Sequence, residues 1–90
     1  MFNWIEEKTE GGFTAHVCRG VAYGPNGGAM CFVSYKAYPD ADGIWHLQKH
    51  SEWCGVDVLI YDRICGTLDN CMIEAEDAMM QENFRQEGQR

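Results

Sequence analysis

The sequence predicts an α+β domain in which an antiparallel sheet of four or five strands carries one C-terminal helix on one face. Three observations predict it. Apolar residues alternate with a period of two through several stretches, turn residues separate those stretches, and helix-forming residues dominate the region after Gly66. At 90 residues, 46% of them apolar, the chain should form one ordered domain over residues 1–85. Residues 86–90 are polar and should form a flexible tail.

The first two predicted strands form a hairpin. Residues 2–9 place Phe2 and Trp4 on one face of a strand, and two consecutive glycines then provide a turn. Alternation over residues 13–23 predicts one long second strand. A bulge is expected near Gly20, because glycine inside a strand often marks one.

Turn residues and further alternation predict the remaining strands. The stretch GPNGG at residues 24–28 is the strongest turn signal, since Asn-Gly readily adopts left-handed conformations. A third strand should follow over residues 29–38, with a second, acidic turn at residues 39–43. Residues 44–50 favour a fourth strand over a short helix, and the β-branched residues of the stretch 56–64 predict a fifth.

A helix should begin after Thr67, a favourable N-cap residue, and run to about Phe84. Asp69 in its first turn complements the helix dipole. One side of this helix forms an apolar stripe that should pack on the sheet. Its members are Leu68, Cys71, Met72, Ala75 and Met79.

A second apolar group lies on the same helix, about 100° from the first stripe. It could be covered, if the sheet curls or if the last turn tucks under a loop. The alternative is an exposed protein-binding surface with an apolar centre and an acidic rim, on which Phe84→Asp and Met80→Lys would leave the thermal midpoint nearly unchanged. The candidate partner-binding residues are Asp69, Ile73, Glu76, Asp77, Met80 and Phe84.

The charge balance restricts the partners. Fourteen acidic and seven basic residues give a net charge of -7, which opposes direct binding to nucleic acid or to anionic membranes. A basic protein groove that normally holds nucleic acid would instead be attracted. Mimicry of duplex DNA is less favoured, because the helix carries few carboxylates beside a duplex with one charge per about 1.7 Å.

The cysteines and the N-terminus indicate a soluble cytoplasmic protein. The apolar stretches are shorter than the roughly 20 residues of a membrane span, and the first residues do not resemble a signal peptide. The odd number and scattered spacing of the cysteines favour reduced thiols over disulfides. They are Cys18, Cys31, Cys54, Cys65 and Cys71.

No catalytic, cofactor or metal motif is predicted, and the chain is expected not to be an enzyme. His46, His50 and Cys54 recur every four residues, but on a strand they spread too widely to chelate one zinc ion. His16 and Cys18 share one face of a strand, yet a histidine on the sheet surface and a packed thiol explain them more simply than a nucleophile and its base.

The order of strands, tight turns and a closing helix resembles small phage and mobile-element inhibitors of the anti-CRISPR type. The helix entry Gly66-Thr67-Leu68 and the interior Ala75 and Ala78 are the residues of this resemblance. It implies a non-enzymatic inhibitor that blocks a nucleic-acid-binding or partner surface of a CRISPR effector. The alternatives are an interaction module or homodimeric subunit of a host complex and, with less support, a zinc-binding module.

Overall fold

An antiparallel sheet and one helix make up the fold. The computed structural model describes residues 2–23 and 30–86. The predicted α+β class, with the helix packed on one face of an antiparallel sheet, is confirmed. In chain order the elements are β1 (Ile5–Lys8), β2 (Thr14–Tyr23), β3 (Met30–Pro39), β4 (Trp45–Trp53), β5 (Val56–Gly66), α1 (Leu68–Gln81) and β6 (Phe84–Gln86).

The strands lie in the order β1-β2-β3-β4-β5, and β6 pairs with β2. β1 pairs with β2 from Thr14 to Val17, whereas β6 pairs with it from Gly20 to Ala22. Together β1 and β6 therefore cover one side of β2. At the opposite end of the sheet, β5 pairs with β4 and with no other strand of the described ranges.

Residues in the left-handed backbone conformation form two of the turns. Gly43 (φ +80°) closes the β3–β4 turn, where the Asp40 carboxylate accepts hydrogen bonds from the backbone N–H groups of Asp42 and Ile44. Cys54 and Gly55 both have positive φ, as the two-residue β4–β5 hairpin requires. Residues 44–50, for which the sequence favours a strand over a short helix, lie mostly in strand β4. The predicted turn at residues 24–28 lies outside the described residues.

Gly20 is explained by a close approach of two strands. The register between β2 and β3 is unbroken from His16 to Tyr23, so the predicted bulge is wrong. A Cβ atom at Gly20 would lie 2.2 Å from the carbonyl oxygen of Arg85 and 2.5 Å from the Phe84 ring. Only glycine lets β6 and the Phe84 side chain pack here.

The helix begins as predicted. The Thr67 hydroxyl accepts a hydrogen bond from the backbone N–H of Asn70 at 3.1 Å. Cys71, Ala75 and Met79 are buried and belong to the same core as Tyr35 and Leu47 of the sheet. Leu68 packs against this core and Met72 is half-buried, so the predicted stripe faces the sheet.

The helix ends at Gln81, and the prediction that it continues to Phe84 is wrong. Asn83 adopts a left-handed conformation (φ 53°), which asparagine tolerates and which terminates helices. The chain then enters β6, where the ring of Phe84 packs edge-on against Phe2 and Tyr35. Tertiary burial of one aromatic ring therefore outweighs the helix propensity of the last turn.

The two ends of the described chain meet beside β6. The side-chain oxygen of Gln86 accepts a hydrogen bond from the backbone N–H of Asn3 at 2.8 Å, and its amide nitrogen donates to the Asn3 carbonyl. Gln86 is buried, so the predicted tail does not begin there. Residues 87–90 lie outside the described residues.

Candidate protein-docking surface

Two of the predicted partner-binding side chains are the most exposed apolar groups of the helix. Ile73 and Met80 are 68% and 67% exposed. Asp69 and Asp77 are also exposed and stand on the same side, opposite the buried Cys71, Ala75 and Met79. We call the group Asp69, Ile73, Asp77 and Met80 the helix outer face.

The other two predicted residues do not join the helix outer face. Glu76 is half-buried and accepts a hydrogen bond from the indole nitrogen of Trp4 at 2.9 Å, which ties the N-terminal segment to the helix. Phe84 is only 8% exposed and lies in the core. Phe84→Asp would therefore unfold the domain, in contrast to the neutral effect expected from the sequence, whereas Met80→Lys still has no core contact to break.

A larger apolar surface lies on β5, the end strand of the sheet. Its five aliphatic side chains are between 45% and 73% exposed. Edge strands of folded proteins are usually short, charged or covered, because their free backbone groups can pair with another chain. At 11 residues β5 is long for an edge strand. We call Val56, Val58, Leu59, Ile60 and Ile64 the β5 edge.

The register with β4 assigns these side chains to faces. Asp57 lies opposite Glu52, Leu59 opposite His50, and Asp62 opposite Gln48. Ile60 falls at a register shift and lies opposite no β4 residue. The sheet face away from α1, called the open face here, therefore carries an alternation of acidic and aliphatic β5 side chains. In chain order these are Asp57, Leu59, Asp62 and Ile64.

The helix-side face of β5 is covered only in part. Tyr61 packs against the core, and Arg63 forms an ion pair with Glu74 of α1 at 2.6 Å. Val56 and Val58, nearer the β4–β5 turn, remain exposed. The helix therefore covers one end of β5 and leaves the other open.

Strand β5 is correctly predicted from the sequence, but it is not identified there as an exposed apolar surface. The signal is present in the sequence VDVLIYDRI, whose nearly continuous apolar character is typical of strands covered on both faces. In the described chain no second layer covers the open face of this strand.

A hydrogen-bonded cluster occupies the open face beside β5. The two ring nitrogens of His46 lie 2.8 Å from an Asp40 oxygen and 3.1 Å from an Asp62 oxygen. The Tyr38 hydroxyl donates to the second Asp62 oxygen at 2.5 Å, and its ring stacks on His46. The hydrogen bond to Asp40, aided by Asp62, raises the pKa of His46 above its ordinary value.

The same contacts lower the pKa values of the two carboxyl groups. For Asp40 the largest cause is the hydrogen bond from His46. Burial opposes the change at Asp62, but hydrogen bonds from Tyr38, Gln48 and His46 together outweigh it. Both carboxylates therefore favour a protonated imidazole between them.

The structure separates the three residues considered for zinc. His46 and His50 lie on β4, and their ring nitrogens contact Asp40, Asp62, Asp57 and Gln48 side chains, while Cys54 is exposed in the hairpin turn. Within residues 2–23 and 30–86, no cluster of three or more histidine, cysteine or acidic side chains has a geometry that could hold a metal ion.

The thiols are free in the structure, and Cys18 is deeply buried. Burial, with a contribution from the charge of Glu76, raises the pKa of Cys18 to about 11. The thiol is therefore protonated at neutral pH, which is the opposite of what an activated nucleophile needs. His16 packs against the Trp45 ring at 5.8 Å.

A shallow groove of about 340 Å³ also lies on the open face. Its walls combine both charges: Arg19 pairs with Glu7 at 2.7 Å, and Lys36 and Asp57 stand further along it. Asp57 therefore borders both the groove and the β5 edge.

No helix in the described part of the chain is long and apolar enough to cross a membrane. Comparison with family models, with curated proteins and with solved structures finds no match. The features of the molecule that bear on its function are therefore the helix outer face, the β5 edge and the charge of the chain.

Proposed function

We propose that this protein is a non-enzymatic binding module that docks onto another protein through uncovered aliphatic side chains rimmed by carboxylates. The observation that carries the proposal is the exposure of all five aliphatic side chains of β5. An edge strand offers a partner both apolar area and unpaired backbone groups. A partner that covers the β5 edge would gain about 25 cal/mol of binding free energy for each Å² of apolar surface removed from water.

Charge favours a basic partner surface. The chain carries a net charge of -7, and Asp69 and Asp77 rim the apolar pair on the helix outer face. A groove that normally holds nucleic acid has the complementary sign. The more specific form of the proposal is an inhibitor of the anti-CRISPR type, which acts in the host cytoplasm and occupies a nucleic-acid-binding or partner surface of a CRISPR effector.

A homodimeric subunit is the second candidate, because the same β5 edge could pair with the β5 edge of another copy. Two copies would each bring a net charge of -7, and this repulsion weakens the association. Sedimentation at physiological and at high salt separates the candidates, since a dimer limited by repulsion tightens as salt is added.

The inhibitor form is tested with purified CRISPR effector complexes. Target-DNA binding is measured by mobility shift with and without this protein, and we expect the protein to reduce it. The inhibition should weaken as salt screens the charges. Effectors that bind DNA equally well in its presence, with no complex on a sizing column, would remove the inhibitor form.

Paired variants then identify the surface. Ile73→Lys with Met80→Lys changes the helix outer face, and Ile60→Lys with Ile64→Lys changes the β5 edge. Each pair adds two positive charges to exposed positions, so the pairs are matched in charge. We expect the β5 pair to reduce complex formation more, because its edge offers the larger apolar surface.

A further inference from the structure

The β5 edge carries a pattern that defines the segment it can accept. Its open-face side chains alternate between acidic and aliphatic residues, and Val56 and Val58 are exposed on the other face. On a sheet, side chains directly opposite each other on neighbouring strands share a face and interact. An added strand would therefore meet carboxylates on one face and valines on the other.

The positions of the two carboxylates fix the spacing of the complementary charges. Asp57 and Asp62 lie opposite Glu52 and Gln48, which are four positions apart on β4. The extra residue Ile60 is absorbed by the register shift. A regular strand on the outer side of β5 would likewise face Asp57 and Asp62 with residues four positions apart, and the residue midway would face Leu59.

Both carboxylates remain accessible to such a strand. The Asp57 side chain is 69% exposed, and its hydrogen-bond distance to a His50 ring nitrogen is 3.2 Å. Asp62 is bound by Tyr38, Gln48 and His46 yet keeps about a third of its side chain exposed. Opposite charges directly across two strands stabilise their pairing, whereas like charges destabilise it.

We infer that the β5 edge binds an extended segment of a partner protein by strand addition, and that this segment carries two basic residues four positions apart on one face with aliphatic residues midway and on the other face. This inference rests on the proposed protein-binding function and names the chemistry of the partner. Because the required pattern is symmetric about its middle residue, it reads the same in both chain directions.

Charge complementarity selects this occupant over a second copy. Two β5 strands would bring four aspartates and two arginines to one junction, and each arginine already pairs with Glu74 of its own helix. A basic segment instead neutralises Asp57 and Asp62. Its aliphatic residues cover Leu59 on the open face and the two valines on the helix-side face.

The test uses a capped synthetic peptide with two lysines four positions apart and valine, isoleucine or threonine elsewhere. Two control peptides replace the lysines by glutamates or N-methylate the backbone amides of the central residues. Fluorescence anisotropy with the full chain should show that the lysine peptide binds and that the glutamate peptide binds at least about ten-fold more weakly. N-methylation should abolish binding, because strand addition needs the backbone hydrogen bonds.

Matched protein variants locate the charge contacts. Asp57→Asn with Asp62→Asn should weaken binding of the lysine peptide by about two- to thirty-fold, the range for two cross-strand charge pairs. Asp69→Asn with Asp77→Asn removes the same charge from the helix outer face and should leave binding nearly unchanged. Because Asp62 also holds Tyr38 and His46, Asp57→Asn alone provides a variant with fewer internal contacts to lose.

Amide hydrogen exchange shows where the peptide binds. The peptide should slow exchange along β5 and leave α1 unchanged. No binding of the lysine peptide, equal binding of both charge types, or protection confined to α1 would each overturn the inference, as would a β5-paired dimer that the peptide does not dissociate. If a protein partner still binds the Asp57→Asn, Asp62→Asn variant without protecting β5, only the strand-addition inference fails and the proposed function stands.

Discussion

β2 and β5 are both long strands, of 10 and 11 residues, and both are rich in β-branched and apolar residues. β2 has β3 on one side, β1 and β6 on the other, and the core beneath Cys18 and Ala22. β5 has β4 on one side only, and most of its residues are exposed. Position in the sheet, more than composition, decides whether a strand is covered by the rest of the fold or exposed to a partner.

The difference extends to how each strand is protected against wrong pairing. The three residues of β6 pair with Gly20 to Ala22, a part of β2 that β1 does not reach. Within the described residues no strand covers the outer side of β5 in this way. Its pairing with β4 is irregular at two places, where the register shifts. Such irregularities twist an edge and discourage indiscriminate pairing, so the proposed partner segment would have to follow this twist.

The largest expected contrast is between Phe84 beside β2 and Ile64 on β5. Phe84→Ala should cost about 3–5 kcal/mol of unfolding free energy, because it removes the contacts of the buried Phe84 ring with Phe2 and Tyr35 and leaves a cavity. Ile64→Ala should cost about 1 kcal/mol or less, since this side chain is already exposed. Urea unfolding with unchanged m-values measures both, and equal costs would mean that β5 is covered after all.

A second contrast concerns the close approach of β2 and β6. Gly20→Ala should cost about 1–3 kcal/mol, because the added Cβ meets the Arg85 carbonyl oxygen and the Phe84 ring. Gly11→Ala is the control, since its Cβ would lie 3.3 Å from the ring of Phe13, an exposed side chain that can move to relieve the contact. Thermal unfolding compares them, and a neutral Gly20→Ala would show that β6 can shift without loss.

A third contrast separates an inner carboxylate from an outer one. Glu82 accepts hydrogen bonds from the buried Tyr35 hydroxyl at 2.5 Å and from Lys49 at 2.8 Å. Glu82→Ala should cost about 1–3 kcal/mol, because it leaves a buried hydroxyl without its partner. Asp77→Ala on the helix outer face should change stability by about 0.5 kcal/mol or less. Denaturant unfolding of the two variants checks whether the inner site is the more sensitive one.

The sequence was informative where local chemistry decides the structure. Alternation located the strands, and Thr67 located the start of α1, because period and capping depend on neighbouring residues. The end of the helix could not be predicted in the same way. Phe84 lies outside the helix, with its ring packed against Phe2 and Tyr35, and these contacts between residues distant in sequence leave no local signal.

The candidate surface was predictable only in part. The helical wheel correctly placed Ile73 and Met80 away from the sheet, since angle around a helix follows from spacing. It could not show that Glu76 would bind Trp4, a residue distant in sequence. Nor does an apolar strand reveal whether its cover comes from the same chain, which is why the β5 edge emerged only from the structure.

The smallest expected effect is a pH dependence centred on His46 beside β5. Since its folded-state pKa is raised, its contribution to stability is fully present below its unfolded value of about 6.5 and is lost as pH rises through the folded value. The pKa values of Asp40 and Asp62 are lowered in the folded state, so the stabilisation that these carboxylates provide is lost only as pH falls toward strongly acidic values. Between about pH 5 and 8 the histidine dominates this cluster.

The thermal midpoint of the wild-type chain should therefore fall slightly from pH 5 to pH 8 relative to that of a His46→Gln variant. The same experiment with the lysine peptide sharpens the contrast between the strands. Deprotonation of the His46 imidazolium removes a positive charge that stands beside Asp62 near the β5 edge, so a basic segment should bind more tightly at pH 8 than at pH 5.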